Sequence, residues 1–130
     1  MVLPDADAMI SRLIRIGYWE SPDDASLPDP RRFVDTEWVV EDREAAQDYF
    51  SRGFVARAYL GQSTCRICGM TVGSRELSDG VYLWPEGLAH YVGIHAVRLP
   101  DAVLEHIERR TTELEDAPAD DAWWRSQLTN

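Results

Sequence analysis

Two residues separate Cys65 from Cys68, and four separate His90 from His95, giving the pattern C-x2-C-x21-H-x4-H. Two thiolates and two imidazoles are the ligand set that closes a tetrahedron around Zn²⁺. A two-residue spacer lets one tight turn aim both sulfurs at a single ion. Gly69, directly after Cys68, suits such a turn because glycine takes up positive φ without steric cost. The 21-residue gap must then carry the chain out and back, so the histidines arrive on a separate element.

Two other uses of the cysteines compete with this reading. A redox C-x-x-C places its first cysteine at a helix N-terminus, but here Gly69 and the β-prone Thr71 and Val72 follow. Unligated cysteines packed in a core are the second alternative. His95 taken alone is a core histidine on the Leu88, Tyr91, Val92 stripe; the company of His90 and the cysteines outweighs that. His106 lies between Glu105 and Glu108 and reads as a solvated surface histidine.

Four protein ligands normally leave no position for water, so a structural zinc is expected and no residue is assigned a catalytic task. The alternative is a small metal-dependent, hydrolase-like enzyme that keeps an open zinc position, with Glu86, Glu76 or Asp79 handling protons. Neither H-E-x-x-H nor H-x-E with P-C-x-x-C occurs, so the standard peptidase and deaminase arrangements are missing.

The elements around these ligands can be read from pattern and punctuation. Asp5 to Ile16 predicts a first helix with an apolar stripe, ended by Gly17. Glu20 to Asp35, rich in proline, aspartate and serine, is a loop. A second helix is expected from about Glu41 to Arg52, burying Ala45, Ala46, Tyr49 and Phe50. Phe54 to Leu60 predicts a strand into the cysteine turn. Ser78-Asp79-Gly80 predicts a hairpin between Arg75–Leu77 and Val81–Trp84. Pro85 is expected to open a helix through about Ile94. On an ideal helix His90 and His95 stand about 140° apart, so a tightened last turn near Gly93 is needed to bring them to one ion. A further helix is expected over Asp101–Leu114, and a short one over Asp120–Gln127. Tyr82 and Trp84 are expected to form an apolar lid beside the metal, the alternative being a ligand pocket against them with Arg57 or Arg98 supplying charge. The adjacent Trp123 and Trp124 suit either docking on a partner or a tail folded over its own core.

Composition bounds the remainder. The 130 residues, 45% of them apolar and five of them tryptophan, suffice for a core. One domain is the expectation, with a zinc-binding core over about 54–104, N-terminal helices over 1–53 and a C-terminal helical segment over 101–130. Net charge is −10 and unevenly placed: −7 over residues 1–51, +2 over 52–98 and −5 over 99–130. Such a chain repels a phosphate backbone, so nucleic acid is disfavoured as a partner. No apolar run approaches membrane-spanning length and no secretion signal is evident, so no membrane partner and a cytoplasmic location are expected. There, two cysteines suit a metal better than a disulfide.

The stretch from about Phe54 to Leu104 resembles a set of small uncharacterised bacterial proteins. The matching strings are Ser63–Gly69, Glu76–Gly80, Trp84–Val92, and His95 with Val97–Pro100. The resemblance implies a shared metal-centred fold and carries no activity with it. The cysteine turn is also similar to a zinc knuckle and the whole to an expanded Cys2His2 finger, from which the long gap and the acidic charge depart. The expected protein is α+β: a small antiparallel sheet with a Cys65/Cys68/His90/His95 zinc site, packed by several helices. It is expected to act as a regulatory or accessory module through a protein partner or self-association.

Overall fold

Ser78, Asp79 and Gly80 reverse the chain between the two central strands of the fold. A computed structural model describes residues 12–129. Along it run β1 (Ile14–Arg15), α1 (Val40–Ser51), β2 (Phe54–Thr64), β3 (Thr71–Ser78), β4 (Tyr82–Pro85), α2 (Leu88–His95), α3 (Asp101–Asp116) and α4 (Ala122–Ser126). Short 3-10 turns cover Pro30–Phe33 and Gln127–Thr129. The protein is therefore α+β, with a four-stranded sheet in the order β1-β4-β3-β2.

Strands β2, β3 and β4 are antiparallel neighbours, as the two turns between them require. The sheet as a whole is mixed, because Ile14 and Arg15 run parallel to Tyr82 and Leu83. This corrects the expected first helix in its last residues. The Ile14 and Ile16 amides donate to the Val81 and Leu83 carbonyls, both at 2.9 Å, and a free edge of β4 outweighs the helical stripe. The rest of that helix, Asp5 to Ser11, lies outside the described residues.

The hairpin turn is built as its residue types dictate. Asp79 Oδ1 accepts the Val81 and Tyr82 amides at 2.9 and 2.8 Å, Ser78 Oγ accepts the Gly80 amide, and Gly80 sits at φ +93°. Pro85 closes β4 instead of opening α2, and the helix starts three residues later. Edge-directed proline at a strand end sacrifices no ladder bond, which is why both readings were open to it.

The core lies where α1 and α2 meet the sheet. Trp84, Leu88, Val92 and Val97 are fully enclosed, and Phe50 nearly so. Trp84 packs edge-on to Phe50, and its Nε1 donates to the Phe50 carbonyl at 3.0 Å. Burying an indole requires such an acceptor. Trp84 is thus a core residue, and Tyr82 stacks edge-on to His106; neither forms the metal lid that the sequence suggests. On α1 the buried face is Ala46 and Phe50 with Tyr49 partly covered, while Ala45 is exposed. On α3, Val103 and Ile107 are buried but Leu114 is exposed, because the helix outruns the body it packs on.

His106 corrects the expectation of a solvated residue: it is buried, with Nε2 2.8 Å from Asp79 Oδ2. Its charged sequence neighbours Glu105 and Glu108 belong to other faces of α3, and the acceptor comes from the distant hairpin turn.

Candidate metal centre

The cysteine turn joins β2 to β3. The Cys65 amide donates to the Met70 carbonyl at 2.7 Å, and the Gly69 amide donates back to the Cys65 carbonyl at 2.9 Å. Gly69 takes φ +78°, as anticipated from its place after Cys68. The Ile67 amide points at Cys65 Sγ, 3.4 Å away, a donor that stabilises a thiolate. Cys65 is buried and Cys68 exposed, and neither is in a disulfide. No helix follows the turn, so the dipole that activates a redox C-x-x-C is missing.

Several side chains clamp this turn to the rest of the chain. The Arg66 amide donates to Tyr91 Oη at 2.8 Å, tying the turn to α2. The Arg66 guanidinium reaches the carbonyls of Thr64 at 2.7 Å and Glu20 at 3.3 Å, while Arg31 Nη2 donates to the Arg66 carbonyl at 2.5 Å. Trp19 packs on both Phe33 and Tyr91. The proline-rich segment is thus fixed structure: Pro30 is buried, and the Asp35 amide bonds the Ala96 carbonyl just beyond His95. Tyr91, not Tyr82 or Trp84, is the aromatic residue beside His90 and His95.

Helix α2 delivers both imidazoles. Its start presses on the exit strand of the turn, since a Cβ on Gly87 would lie 2.6 Å from Val72 Cγ2 and 3.1 Å from the Val72 carbonyl. The His90 amide bonds the Gly87 carbonyl at 3.0 Å, a tight first turn. The helix ends differently from expectation: the Ala96 amide reaches back five residues to the Tyr91 carbonyl, with Ala96 in the left-handed region at φ 53°. That last turn is widened, not tightened. Gly93 supplies no loosening; a Cβ there would strike the tip of the Gln47 side chain on α1, so glycine permits helix contact. The rings of His90 and His95 end 5.0 Å apart, the remaining angle being taken up by side-chain torsions.

The donor atoms of Cys65, Cys68, His90 and His95 all lie within 4.8 Å of one another. Bond lengths of about 2.0–2.3 Å to a tetrahedral zinc require donors about 3.3–3.8 Å apart. Cys68 Sγ and His90 Nε2 already stand at 3.3 Å. A buried nitrogen, Nε2 of His95, has no hydrogen-bond partner among the described residues. An imidazole nitrogen left without a protein partner beside two thiols fits a metal ligand. Burial, and then the neighbouring His95, hold the His90 pKa below the ordinary histidine value, which keeps its lone pair available. These four residues are positioned to hold a metal ion.

The three carboxylates considered for proton transfer are engaged elsewhere. Glu86 Oε1 accepts the Ser74 and Arg75 amides at 2.6 and 3.0 Å, and Oε2 pairs with the Arg75 guanidinium at 2.9 Å. Gly73, at φ +116°, makes room for it, since a Cβ there would overlap the Glu86 carboxylate. Glu76 is buried, accepting from Tyr18 and facing Arg57 at 3.9 Å. Asp79 is committed to the hairpin turn, Tyr49 and His106. Arg98 likewise pairs with Asp35 at 3.0 Å and lies over Trp38. Among the described residues no helix is long and apolar enough to cross a membrane.

No protein-family model and no solved structure matches the chain. Among curated proteins, an isoleucine–tRNA ligase of Thermobifida fusca is 29% identical over 79 residues, covering 61% of this chain. The chain spans only 7% of that enzyme's length.

Proposed function

We propose that this protein is a small cytoplasmic module whose metal is a structural Zn²⁺, acting through protein contacts as a regulatory or accessory component. The observation that carries the structural reading is the convergence of four soft and borderline donors, one of them the orphaned Nε2-bearing imidazole of His95. Zinc is favoured over other divalent ions by a two-thiolate, two-imidazole set. The ion would be held by Cys65, Cys68, His90 and His95, pinning the β2–β3 turn to α2. A closed shell supplies folding energy and no reactive water. The commitment of Glu86, Glu76 and Asp79 to amides and side chains disfavours the enzyme reading. The resemblance to small bacterial proteins over 54–104 fits one compact module. Similarity to a short part of a much longer ligase fits a unit that larger proteins also carry.

Cobalt substitution tests the closed shell. Co²⁺ in place of the native ion is expected to give intense tetrahedral d–d bands with thiolate charge transfer, unchanged by added azide or cyanide. Bands that shift on adding either anion mean an exchangeable position and return the enzyme reading to first place.

A further inference from the structure

The two cysteines of the metal centre are not equivalent. Cys65 is 3% exposed, and the Ile67 amide points at its Sγ from 3.4 Å. The Tyr91 hydroxyl accepts the Arg66 amide at 2.8 Å and has the Cys65 side chain as its other hydrogen-bond partner, so it donates to that sulfur. Each donor draws charge from the sulfur and blunts it as a nucleophile. Cys68 is exposed. The His90 Nε2 that faces it at 3.3 Å is a fellow donor to the ion, not a source of protons. Burial and hydrogen bonding thus protect one sulfur and leave the other open to solvent.

We propose that Cys68 is an oxidation site for hydroperoxides and Cys65 its resolving partner, which makes the metal centre a reversible redox switch. This deepens, and rests on, the reading of the ion as a structural Zn²⁺. A bound Zn²⁺ keeps coordinating thiols deprotonated, which supplies what the missing helix dipole would give. An accessible thiolate next to a second cysteine is the arrangement that senses oxidants. The chain has no third cysteine, so no other disulfide within one copy competes.

The chemistry balances in two steps. The Cys68 thiolate attacks one oxygen of the hydroperoxide, the O–O bond breaks, and hydroxide or alkoxide leaves, giving the sulfenic acid of Cys68. The Cys65 thiolate then attacks the Cys68 sulfur and displaces its oxygen as hydroxide. Two thiolates have lost two electrons, and the hydroperoxide has gained them. The sulfurs start within 4.8 Å of each other, so side-chain rotation closes most of the gap to a bond of about 2.05 Å. With its sulfurs joined, the chain offers His90 and His95 alone, half of the tetrahedral set. The folding energy carried by the ion is then lost, which loosens the β2–β3 turn from α2.

The full chain with its metal bound tests this. Elemental analysis of the untreated chain comes first; absence of zinc there overturns the structural-zinc reading, and the switch with it, before any oxidant is added. The loaded chain then receives a brief pulse of iodoacetamide or, separately, hydrogen peroxide. Peptide mapping should place the alkyl group on Cys68 over Cys65 by roughly tenfold or more, as accessibility and donor count require. Peroxide should release one zinc, read with a chromogenic chelator, for each disulfide between Cys65 and Cys68. A dithiol with added zinc should then restore the starting circular dichroism. Equal labelling of the two cysteines, zinc retained at peroxide levels that oxidise free cysteine, or oxidation to sulfinic acid without a disulfide overturns the switch. Those three results leave the zinc reading standing, since the untreated chain has already shown its metal.

Discussion

His106 Nε2 and Asp79 Oδ2 lie 2.8 Å apart, joining α3 to the turn of the β3–β4 hairpin, and Tyr49 of α1 donates to the same oxygen at 2.5 Å. Burial alone would raise the Asp79 pKa. Hydrogen bonds from Tyr49, from the Tyr82 and Val81 amides and from His106 outweigh it, so the carboxyl falls below its ordinary value of 3.8. Burial, and then Asp79 itself, push the Tyr49 hydroxyl well above its ordinary range, so it remains a donor. A carboxylate with a lowered folded pKa contributes stability that is complete above its unfolded value and lost as pH falls through the folded one. Acid unfolding should therefore steepen below about pH 4. Asp79→Asn should cost about 1–3 kcal/mol near neutrality, since Asn cannot accept from all these donors, and should flatten that acid limb. Urea melts across pH measure both; an unchanged acid limb contradicts the assignment.

Loss of one metal ligand should differ sharply from loss of the third histidine. A structural zinc is worth about 10–16 kcal/mol of apparent binding in finger peptides, as much as the whole stability of a small domain. Cys68→Ser is expected to purify without stoichiometric metal, partly unfolded or insoluble. His106→Gln is expected to keep its metal and lose only the contacts with Asp79 and the Tyr82 ring. Elemental analysis and thermal melts check the pair; full metal and an unchanged melting temperature in Cys68→Ser would count against a structural ion.

Two glycines should respond in opposite ways to alanine. At Gly53 a Cβ would lie 2.7 Å from Trp84 Cζ2 and 2.8 Å from Leu77 Cβ, both buried, so about 1–3 kcal/mol of overpacking is expected. At Gly93 the obstacle is the partly exposed end of Gln47, which can swing aside. Alanine inside a helix gains up to about 1 kcal/mol over glycine, so Gly93→Ala should be neutral or mildly stabilising. Equal destabilisation of both in calorimetry would refute the distinction.

Glu86→Gln should separate scaffold from chemistry. Burial pushes the Glu86 carboxyl up, but Arg75 and the Ser74 amide outweigh it, and its pKa lies below the ordinary value. The substitution should cost about 1–2 kcal/mol through the weakened amide contacts. The partly exposed Arg75 pair adds little. Metal content and the cobalt spectrum should not move; a changed spectrum would place Glu86 at the ion.

The four residues that the fold brings together could be picked out in the sequence because C-x2-C with a following glycine and paired histidines has few competing uses. The hairpin at Ser78-Asp79-Gly80 and the extents of α1 and α3 followed from local signals of the same kind. What stayed hidden depends on residues far apart in the chain. Helical periodicity at Ile14 could not reveal that β4 offers a free edge there. The charges flanking His106 hid an acceptor 27 residues upstream. The widened end of α2 depends on Ala96 in a conformation that nothing in its type announces. Gly87 and Gly93 carry no turn signal, and their need for close approach emerges only once Val72 and Gln47 face them.

X-ray absorption at the zinc edge of the protein as purified tests the central claim most directly. One zinc per chain is predicted, with two sulfurs near 2.3 Å and two imidazole nitrogens near 2.0–2.1 Å, about the usual tetrahedral distances. A chain that folds fully with no bound metal, or an ion whose shell lacks sulfur, would contradict it.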